Sequence, residues 1–419
     1  MSQDELGRLV LHSGDMISKV EKAARWPTLE LARRCDQALD TGGALVRLWP
    51  AVQRQQITSR PIRRPQFAEP VVPWLSESDK DHSPPGTVGQ HDLLIDIARV
   101  ARAFGLLGVE YSRRLGAADV IRMGAVTAMY RSLDYEHGGG LLHIHVAQFA
   151  ESASGLVDCS FSESMRPLLL AAIAEARQLA GWTAFDAGLH SDALRHWMSA
   201  ERAAVAAGDV RLAARIRYCQ AKQFQHLRHN RDAIDTIRLA RDHLGTAATA
   251  AISAMLDGAE AASHGAIGDT RQARACLDRA HRAFDQIDPE REPNWMGFFD
   301  RGEMLAQYGR VYRDMARADR RNGPDAVHWV SQAVQAFGPQ NVRSTVLNEV
   351  GLCSALFLAG DPEQAVAVGM RVIDRARGLT STRVLDRIRN VRRDLGDFAK
   401  RDDTREFGRA IATLEPALP

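Results

Sequence analysis

Apolar residues recur at helical spacing along most of the chain, and no segment alternates apolar and polar residues convincingly as a strand does. Short helical segments occupy residues 1–50, prolines cluster in residues 60–90, and helix follows helix from about residue 91 onward. Proline lacks an amide donor and disfavours helix at the preceding residue. The pattern therefore predicts an all-α chain with a head over residues 1–58, a linker over 59–90 and a helical domain over 91–419.

Small residues repeat at a fixed spacing in this helical domain. Pairs seven positions apart occur in five segments, and their first members follow one another at intervals of 40, 40, 53 and 39 residues. The pairs are Ala193 and Ala200, Ala233 and Ala240, Ala273 and Ala280, Ala326 and Ala333, and Ala365 and Val372. Because small residues let helices approach closely, the spacing predicts helical hairpins stacked side by side.

Neighbouring positions support the same register. The first unit reads Gly181, Gly188, Ala193, Trp197 and Ala200, and the third reads Ala261, Gly268, Ala273, Leu277 and Ala280. This order of small residue, turn glycine, alanine, large apolar residue and alanine resembles the tetratricopeptide repeat. The resemblance implies an α-solenoid. We attribute the long 53-residue interval largely to a charged insertion over 317–322.

The C-terminal segment has one apolar and one basic face. Its apolar positions are Val384, Leu385, Ile388, Val391, Leu395 and Phe398, which share one face of a helix. We interpret the segment as a capping helix whose basic face is solvated. A surface for nucleic acid or for a protein partner is the alternative.

The head contains three short helical segments. Ser2 and Glu5 form a capping-box pattern, a second segment follows Ser13, and a third ends near Leu39. The residues Ser2, Gln3, Leu6, Leu9, Ser13, Ile17, Ser18, Val20, Glu21, Pro27, Thr28, Ala32 and Leu39 form a frame that resembles the Cro/phage-repressor class of helix-turn-helix domains, also called the xenobiotic-response-element family.

Head and repeats together are similar to actinobacterial regulators that join such a head to a tetratricopeptide sensor. Residues 135–140, 179–182 and 295–303 also resemble that group. The family has a further helix before the position of Ser2, so comparison with it predicts a head that lacks its first helix. Either the true start lies upstream of Met1, or the protein has lost full DNA binding.

The resemblance implies roles for head residues, because the second helix of the motif lies in the major groove of DNA. The candidates for groove contacts are Ser13, Gly14, Asp15, Ser18 and Lys19. Gln3 is expected at a phosphate or base edge, and Lys22 and Arg25 near phosphates. The remaining positions, Leu6, Leu9, Ile17 and Val20, are expected in the core of the head.

The inner face of a repeat array is its usual binding surface. Aligning the units predicts effector-binding positions at Trp182, Arg215, Tyr218, Lys222, Gln225, Glu303 and Arg310. A basic groove that also carries amides suits an extended peptide or its carboxylate. A solvated inner surface without a ligand is the alternative.

The sequence offers little for catalysis or cofactors. It contains no Walker loop, dinucleotide fingerprint or nucleophile elbow, and residues 138–140 read as a glycine loop between helices. We expect His137, His143 and His145 not to bind metal, and we expect Asp300 and Glu303 to line a turn or contact a ligand. We therefore predict that the protein is not an enzyme and needs no cofactor or metal.

Charge and cysteine use complete the prediction. The net charge is only +2, the five cysteines are scattered, and neither a signal peptide nor a long apolar run is present. These features predict a cytoplasmic protein. The resemblance implies a transcriptional regulator, a homodimer that binds a palindromic operator in double-stranded DNA and senses a peptide, another effector or a protein partner. The alternative is a tetratricopeptide interaction scaffold that has lost DNA binding.

Overall fold

The computed structural model describes residues 2–10, 12–22, 27, 29–39, 41, 43, 45–46, 114–338 and 340–414. Every regular element in these ranges is helical, so the all-α prediction is confirmed for this part of the chain. The chain divides into two compact units, one formed by residues 1–80 with Asp288–Asn294 and one by the rest. The predicted linker over 59–90 lies outside the described residues.

The small unit contains α1 (Gln3–Leu9), α2 (Gly14–Glu21) and α3 (Leu29–Leu39). The predicted capping box is present at the start of α1, because the Glu5 amide donates to Ser2 Oγ at 3.2 Å and the Ser2 amide donates to Glu5 Oε2 at 2.6 Å. A Cβ atom at Gly7 would lie 2.8 Å from the His12 carbonyl oxygen. Glycine there therefore lets α1 pack directly on the turn before α2.

The core of the small unit differs from the prediction at one position. Val10, Ile17, Leu31 and Cys35 are buried, whereas Leu9 is 61% exposed. The assignment of Leu9 to the core was wrong. Leu6 and Val10 are four residues apart and share the packed face at the end of α1, and Leu9 lies beside that face.

The larger unit is a succession of helices. They are α4 (Ala117–His137), α5 (His143–Gly155), α6 (Arg166–Asp186), α7 (His190–Ala206), α8 (Val210–His226), α9 (Asn230–Leu244), α10 (Ala250–Ala266), α11 (Thr270–Phe284), α12 (Arg301–Ala318), α13 (Gly323–Ala336), α14 (Val342–Ala359), α15 (Pro362–Ala376), α16 (Thr382–Asn390) and α17 (Asp402–Ala412). From α6 to α15 they pack in pairs, and each pair also contacts the next. The result is an α-solenoid-like architecture.

The small residues lie where the paired helices cross. All five predicted pairs are buried, with exposures of 0% at every alanine and 2% at Val372. Trp197 is also fully buried, and its Nε1 donates to the Gln178 carbonyl at 3.2 Å. A Cβ atom at Gly181 would overlap the Trp197 ring. The prediction of close helix packing at these positions is confirmed.

The turn inside each of three helix pairs contains one residue with a left-handed backbone conformation. Gly188 and Gly268 each have φ of +83°, and Arg228 occupies the corresponding position between α8 and α9 with φ of +69°. The same backbone hydrogen bonds surround all three, since Leu189, His229 and Asp269 each donate to a carbonyl in the preceding helix. A left-handed conformation costs a residue other than glycine about 1–2 kcal/mol.

The extra residues of the long interval lie elsewhere than predicted. Residues 317–318 belong to α12, and Arg320–Asn322 form only a single 3-10 turn. The additional length lies mainly in residues 285–300, which connect α11 to α12 and contain a 3-10 helix at Asn294–Phe298. Trp295, Met296 and Phe299 from this connection are buried against the α6–α10 core.

The C-terminal segment is not one continuous helix. Helix α16 ends at Asn390, and 3-10 turns follow at Val391–Asp394 and Gly396–Lys400. Val384, Leu385, Ile388, Val391 and Leu395 are nevertheless buried, as the apolar pattern predicts.

In the part of the chain that the structure describes, α14 is the one helix with the length and apolar character of a membrane span. More than half of it, 56%, is buried inside the protein. A buried position in the array accounts for its composition.

Candidate ligand-binding site

A groove lies on the inner side of the array. Its largest cavity encloses about 890 Å³, partly open to solvent, and two adjoining cavities enclose about 760 and 570 Å³. Arg310 and Leu347 line all three, so the cavities form one groove. The walls of the largest cavity come mainly from α4, α6, α8, α12, α14 and α16, together with Phe298 from the connection before α12.

The predicted effector positions come together here. Six of the seven line the largest cavity, namely Trp182, Arg215, Tyr218, Lys222, Glu303 and Arg310. Gln225 lines the two adjoining cavities, where its amide donates to the Ala259 carbonyl at 2.7 Å and Ser263 Oγ at 2.8 Å. Their role in binding an effector stays a prediction, but their common location follows from the geometry.

A buried ion network closes one side of the groove. Arg343 on α14 donates to both oxygens of Asp134 on α4, with Nη2 2.8 Å from Oδ2, and Nη1 lies 3.4 Å from Asp186 Oδ2. Arg383 on α16 donates to Asp186 Oδ1 at 2.9 Å. Burial opposes ionisation of Asp186, but Arg343, Arg383 and the Gly139 amide outweigh it and hold its pKa below the usual range. This network ties α14 and α16 to α4 and α6.

We call the contact of α14 and α16 with α4 and α6 the seam. The glycine loop after α4 also belongs to it. The Gly140 amide donates to the Thr380 carbonyl at 2.5 Å, and the Thr380 amide donates to the His137 carbonyl at 3.0 Å. A Cβ atom at Gly139 would lie 2.8 Å from Thr183 Cα. The run is a loop between helices, as predicted, and its glycines allow two chain segments to cross.

Several cations in the groove have no anionic partner. Lys222, Arg215 and Arg313 are only 9%, 6% and 8% exposed. Within residues 114–338 and 340–414, none of the three forms an ion pair, and Lys222 Nζ, Arg215 Nε and Nη1, and Arg313 Nε have no hydrogen-bond partner. Burial, reinforced by neighbouring arginines, lowers the pKa of Lys222 well below its usual range and that of Arg313 to about 10.

Aromatic rings hold two of the arginines. The Arg215 guanidinium lies 4.0 Å from the Phe298 ring centre and 5.5 Å from that of Trp295. Arg383 lies 4.8 Å from the Trp182 ring centre. These cation–π contacts offset part of the cost of burying the charges and leave their remaining donors available.

Five residues line the groove although the sequence did not predict them there, namely Arg131, Phe298, Arg343, Arg383 and Arg387. The prediction that the basic face of the C-terminal segment is solvated was wrong for Arg383 and Arg387. These residues are four positions apart and therefore project from the same side of α16. That spacing was visible in the sequence, but it could not show which side of the helix the array would cover.

The two carboxylates proposed as turn-lining or ligand-contacting residues have different positions. Asp300 caps α12, where its side chain accepts from the Glu303 amide at 3.0 Å. Glu303 lines the largest cavity together with Lys222 and Arg310.

One group has the residue types of a metal site. Ligand atoms of Glu260, His264 and Cys276 lie within 4.8 Å of one another. Arg241 already donates to Glu260 Oε2 at 2.8 Å, and burial and the nearby Glu260 raise the pKa of the Cys276 thiol to about 11. Because metals bind the thiolate, this group is better described as an ion-pair cluster.

The predicted DNA-contacting residues lie in the small unit. Gln3, Ser13, Asp15, Lys19 and Lys22 are exposed, while Gly14 and Ser18 are partly buried. Three are engaged locally: Ser13 caps α2, Lys19 Nζ lies 2.7 Å from Asp15 Oδ2, and Gln3 Nε2 donates to Glu21 Oε2 at 2.5 Å. Arg25 lies outside the described residues.

Comparisons with protein-family models and with curated protein sequences find no match for this chain.

Proposed function

We propose that the protein is a transcriptional regulator in which α1 and α2 form a DNA-binding helix-turn-helix and the tetratricopeptide-type array binds an effector in its groove. The observation that carries the proposal is the set of buried, unpartnered cations in a groove assembled from both ends of the array. Buried charges without partners are costly to a fold, so they are typical of a site completed by a ligand.

Support for the head comes from its local geometry. Four residues, 10–13, separate α1 from α2, and Gly7 allows the close contact between the helix and this turn. A turn of about three to four residues joins the two helices of a helix-turn-helix unit. The exposed side chains of α2, including Lys19, are available to a major groove.

Support for sensing comes from the seam. The ligand would contact α8 and α12 as well as α14 and α16, and so would favour the closed array over an open one. An effector that binds one state more tightly would change the affinity of the head for its operator. By linkage, the operator would change the affinity for the effector by the same coupling free energy. The head would act as a homodimer on a palindromic operator.

The test is selection of the full chain on random-sequence double-stranded DNA, with salt titration of the enriched motif. Lys19→Ala removes a proposed groove contact, and Lys400→Ala removes an exposed lysine elsewhere. The proposal expects a two-fold symmetric motif whose enrichment is lost in Lys19→Ala and retained in Lys400→Ala. No enrichment for a folded wild-type chain overturns it.

An interaction scaffold without DNA binding is the second candidate. The ion pair between Lys19 and Asp15 and the hydrogen bond between Gln3 and Glu21 favour it, because each local acid weakens the attraction of α2 to phosphate. The absence of an enriched DNA motif, together with retained ligand binding by the array, would support this function.

A further inference from the structure

The charges that line the groove are mostly positive when the residues already engaged in ion pairs are left out of the count. Asp134 is engaged by Arg343, and Asp314 and Asp394 are both engaged by Arg317. Within residues 114–338 and 340–414, Lys222, Arg310, Arg313 and Arg387 form no ion pair. Among the acids lining the three cavities, this leaves Glu303 as the one without a cationic partner.

Four of the cations without an ion pair converge on one place. Lys222 from α8, Arg310 and Arg313 from α12 and Arg387 from α16 all line the 570 Å³ cavity. Three separate helices therefore aim positive groups into a single space. Burial and the neighbouring Arg310 lower the pKa of both Lys222 and Arg387, in agreement with cations crowded together without an anion.

This arrangement fits a phosphoryl group better than a carboxylate. A carboxylate brings one charge and two oxygens, which one arginine can satisfy through its two parallel donors. A phosphate monoester brings a charge of about −1.5 to −2 and three strong acceptor oxygens. With Glu303 as the one unpaired acid, the four cations leave three positive charges unbalanced, which is more than a single carboxylate supplies.

We propose that the groove binds a small molecule carrying a phosphate or diphosphate, whose phosphoryl oxygens accept from Lys222, Arg310, Arg313 and Arg387. The remainder of the molecule extends into the 890 Å³ cavity beside Trp182, Tyr218 and Phe298. Aromatic rings beside a few convergent polar groups are typical of a small-molecule pocket. This inference rests on the proposed sensing function and names the chemical class of its effector.

The experiment is isothermal titration calorimetry of the full chain, in a buffer without phosphate, with inorganic pyrophosphate, ADP and succinate as probes. Pyrophosphate is expected to bind at one site and at least about tenfold more tightly than succinate, since charge-assisted bonds to additional oxygens each contribute substantially. ADP binding more tightly than pyrophosphate would identify a nucleotide as the source of the phosphoryl group. Equal binding would identify recognition of the phosphoryl group alone.

Matched variants assign the site. Lys222→Met and Arg387→Met are each expected to weaken pyrophosphate binding at least about tenfold. Arg377→Met removes an arginine whose side chain is 71% exposed, and it is expected to leave the affinity unchanged. Circular dichroism would confirm that each variant is folded, and Lys222→Met removes a buried charge and so favours folding.

Succinate binding as tight as pyrophosphate, absence of pyrophosphate binding at millimolar concentration, or unchanged affinity in both groove variants would each overturn the phosphoryl assignment. These outcomes are distinct from failure of the proposed function. DNA selection by the wild-type chain succeeds or fails independently of these titrations.

Discussion

Arg343 and Asp134 form a bidentate ion pair although 209 positions separate them in the sequence. Their side chains are 3% and 0% exposed. The pair joins α14 to α4 and so holds the last part of the helical array against the first. The groove owes its closed side to this contact and to the neighbouring pair between Arg383 and Asp186.

Removing Arg343 is expected to destabilise the protein strongly. Arg343→Met leaves the buried Asp134 without its counter-ion, and breaking a buried pair in this way costs about 3–5 kcal/mol. Urea unfolding followed by circular dichroism measures the loss. The exposed pair between Arg377 and Asp374 provides the control, because Arg377→Met is expected to cost no more than about 1 kcal/mol. Similar losses in the two variants would contradict a stabilising role for the seam.

The contact between Gly181 and Trp197 gives a second prediction. Gly181→Ala introduces a methyl group that overlaps the fully buried Trp197 ring, and overpacking of this kind costs about 1–3 kcal/mol. Gly124→Ala is the matched control, since it lies within α4 with no atom near the new methyl group. That substitution is expected to stabilise the protein by about 0.5–1 kcal/mol. The urea midpoints of the two variants should therefore move in opposite directions.

Replacing Lys222 is expected to increase stability while it removes a binding group. Lys222→Met eliminates a buried charge without a partner, with an expected gain of about 1 kcal/mol at neutral pH in the absence of ligand. A variant less stable than wild type would show that Lys222 has a stabilising partner in the free protein.

The gain from Lys222→Met should depend on pH. The pKa of Lys222 is lower in the folded protein than the value of about 10.4 expected for the unfolded chain. Between the two values the unfolded chain binds more protons, so wild-type stability rises with pH. The methionine variant lacks this titration, and its advantage should shrink as pH increases through that interval. Thermal unfolding of both proteins across neutral to alkaline pH checks the sign.

A further prediction concerns Lys22, the exposed C-cap residue of α2. As a proposed phosphate contact it would contribute affinity but no sequence preference. Lys22→Ala is expected to weaken binding to the selected motif and to unrelated DNA by the same factor. It should also reduce the slope of log K against log salt by about 1. A changed motif would instead show that Lys22 contacts bases.

Local spacing was sufficient to predict the packing of the array. Ala193, Trp197 and Ala200 could be located because helix contacts recur with the period of the repeat, and the same register brought Arg215 and Lys222 to the inner face. The seam could not be predicted in this way. Nothing in the spacing around Arg343 indicates a partner on α4, because that contact depends on the accumulated rotation of all the intervening helices.

Two other errors also have physical causes. Phe298 was missed because the extra residues of the long interval were assigned to 317–322, where charge density suggested a loop, although Arg317 continues α12. Leu9 was assigned to the core because its type fits the head pattern. The buried position belongs to Val10, which follows it by one residue, and a helix turns by about 100° at each residue.

The hydrogen bond from Thr380 Oγ1 to the His137 carbonyl, at 3.2 Å, spans 243 residues of chain. Each pair of helices can form as soon as its own residues are present, but closing a loop of this length costs about 1.6 kcal/mol more entropy than closing one of about 40 residues. During synthesis, the ribosome must release the chain well beyond Thr380 before the seam can form. The closed side of the groove therefore forms after the helical pairs that it joins, and a nascent or prematurely terminated chain would present stacked helices around an open groove.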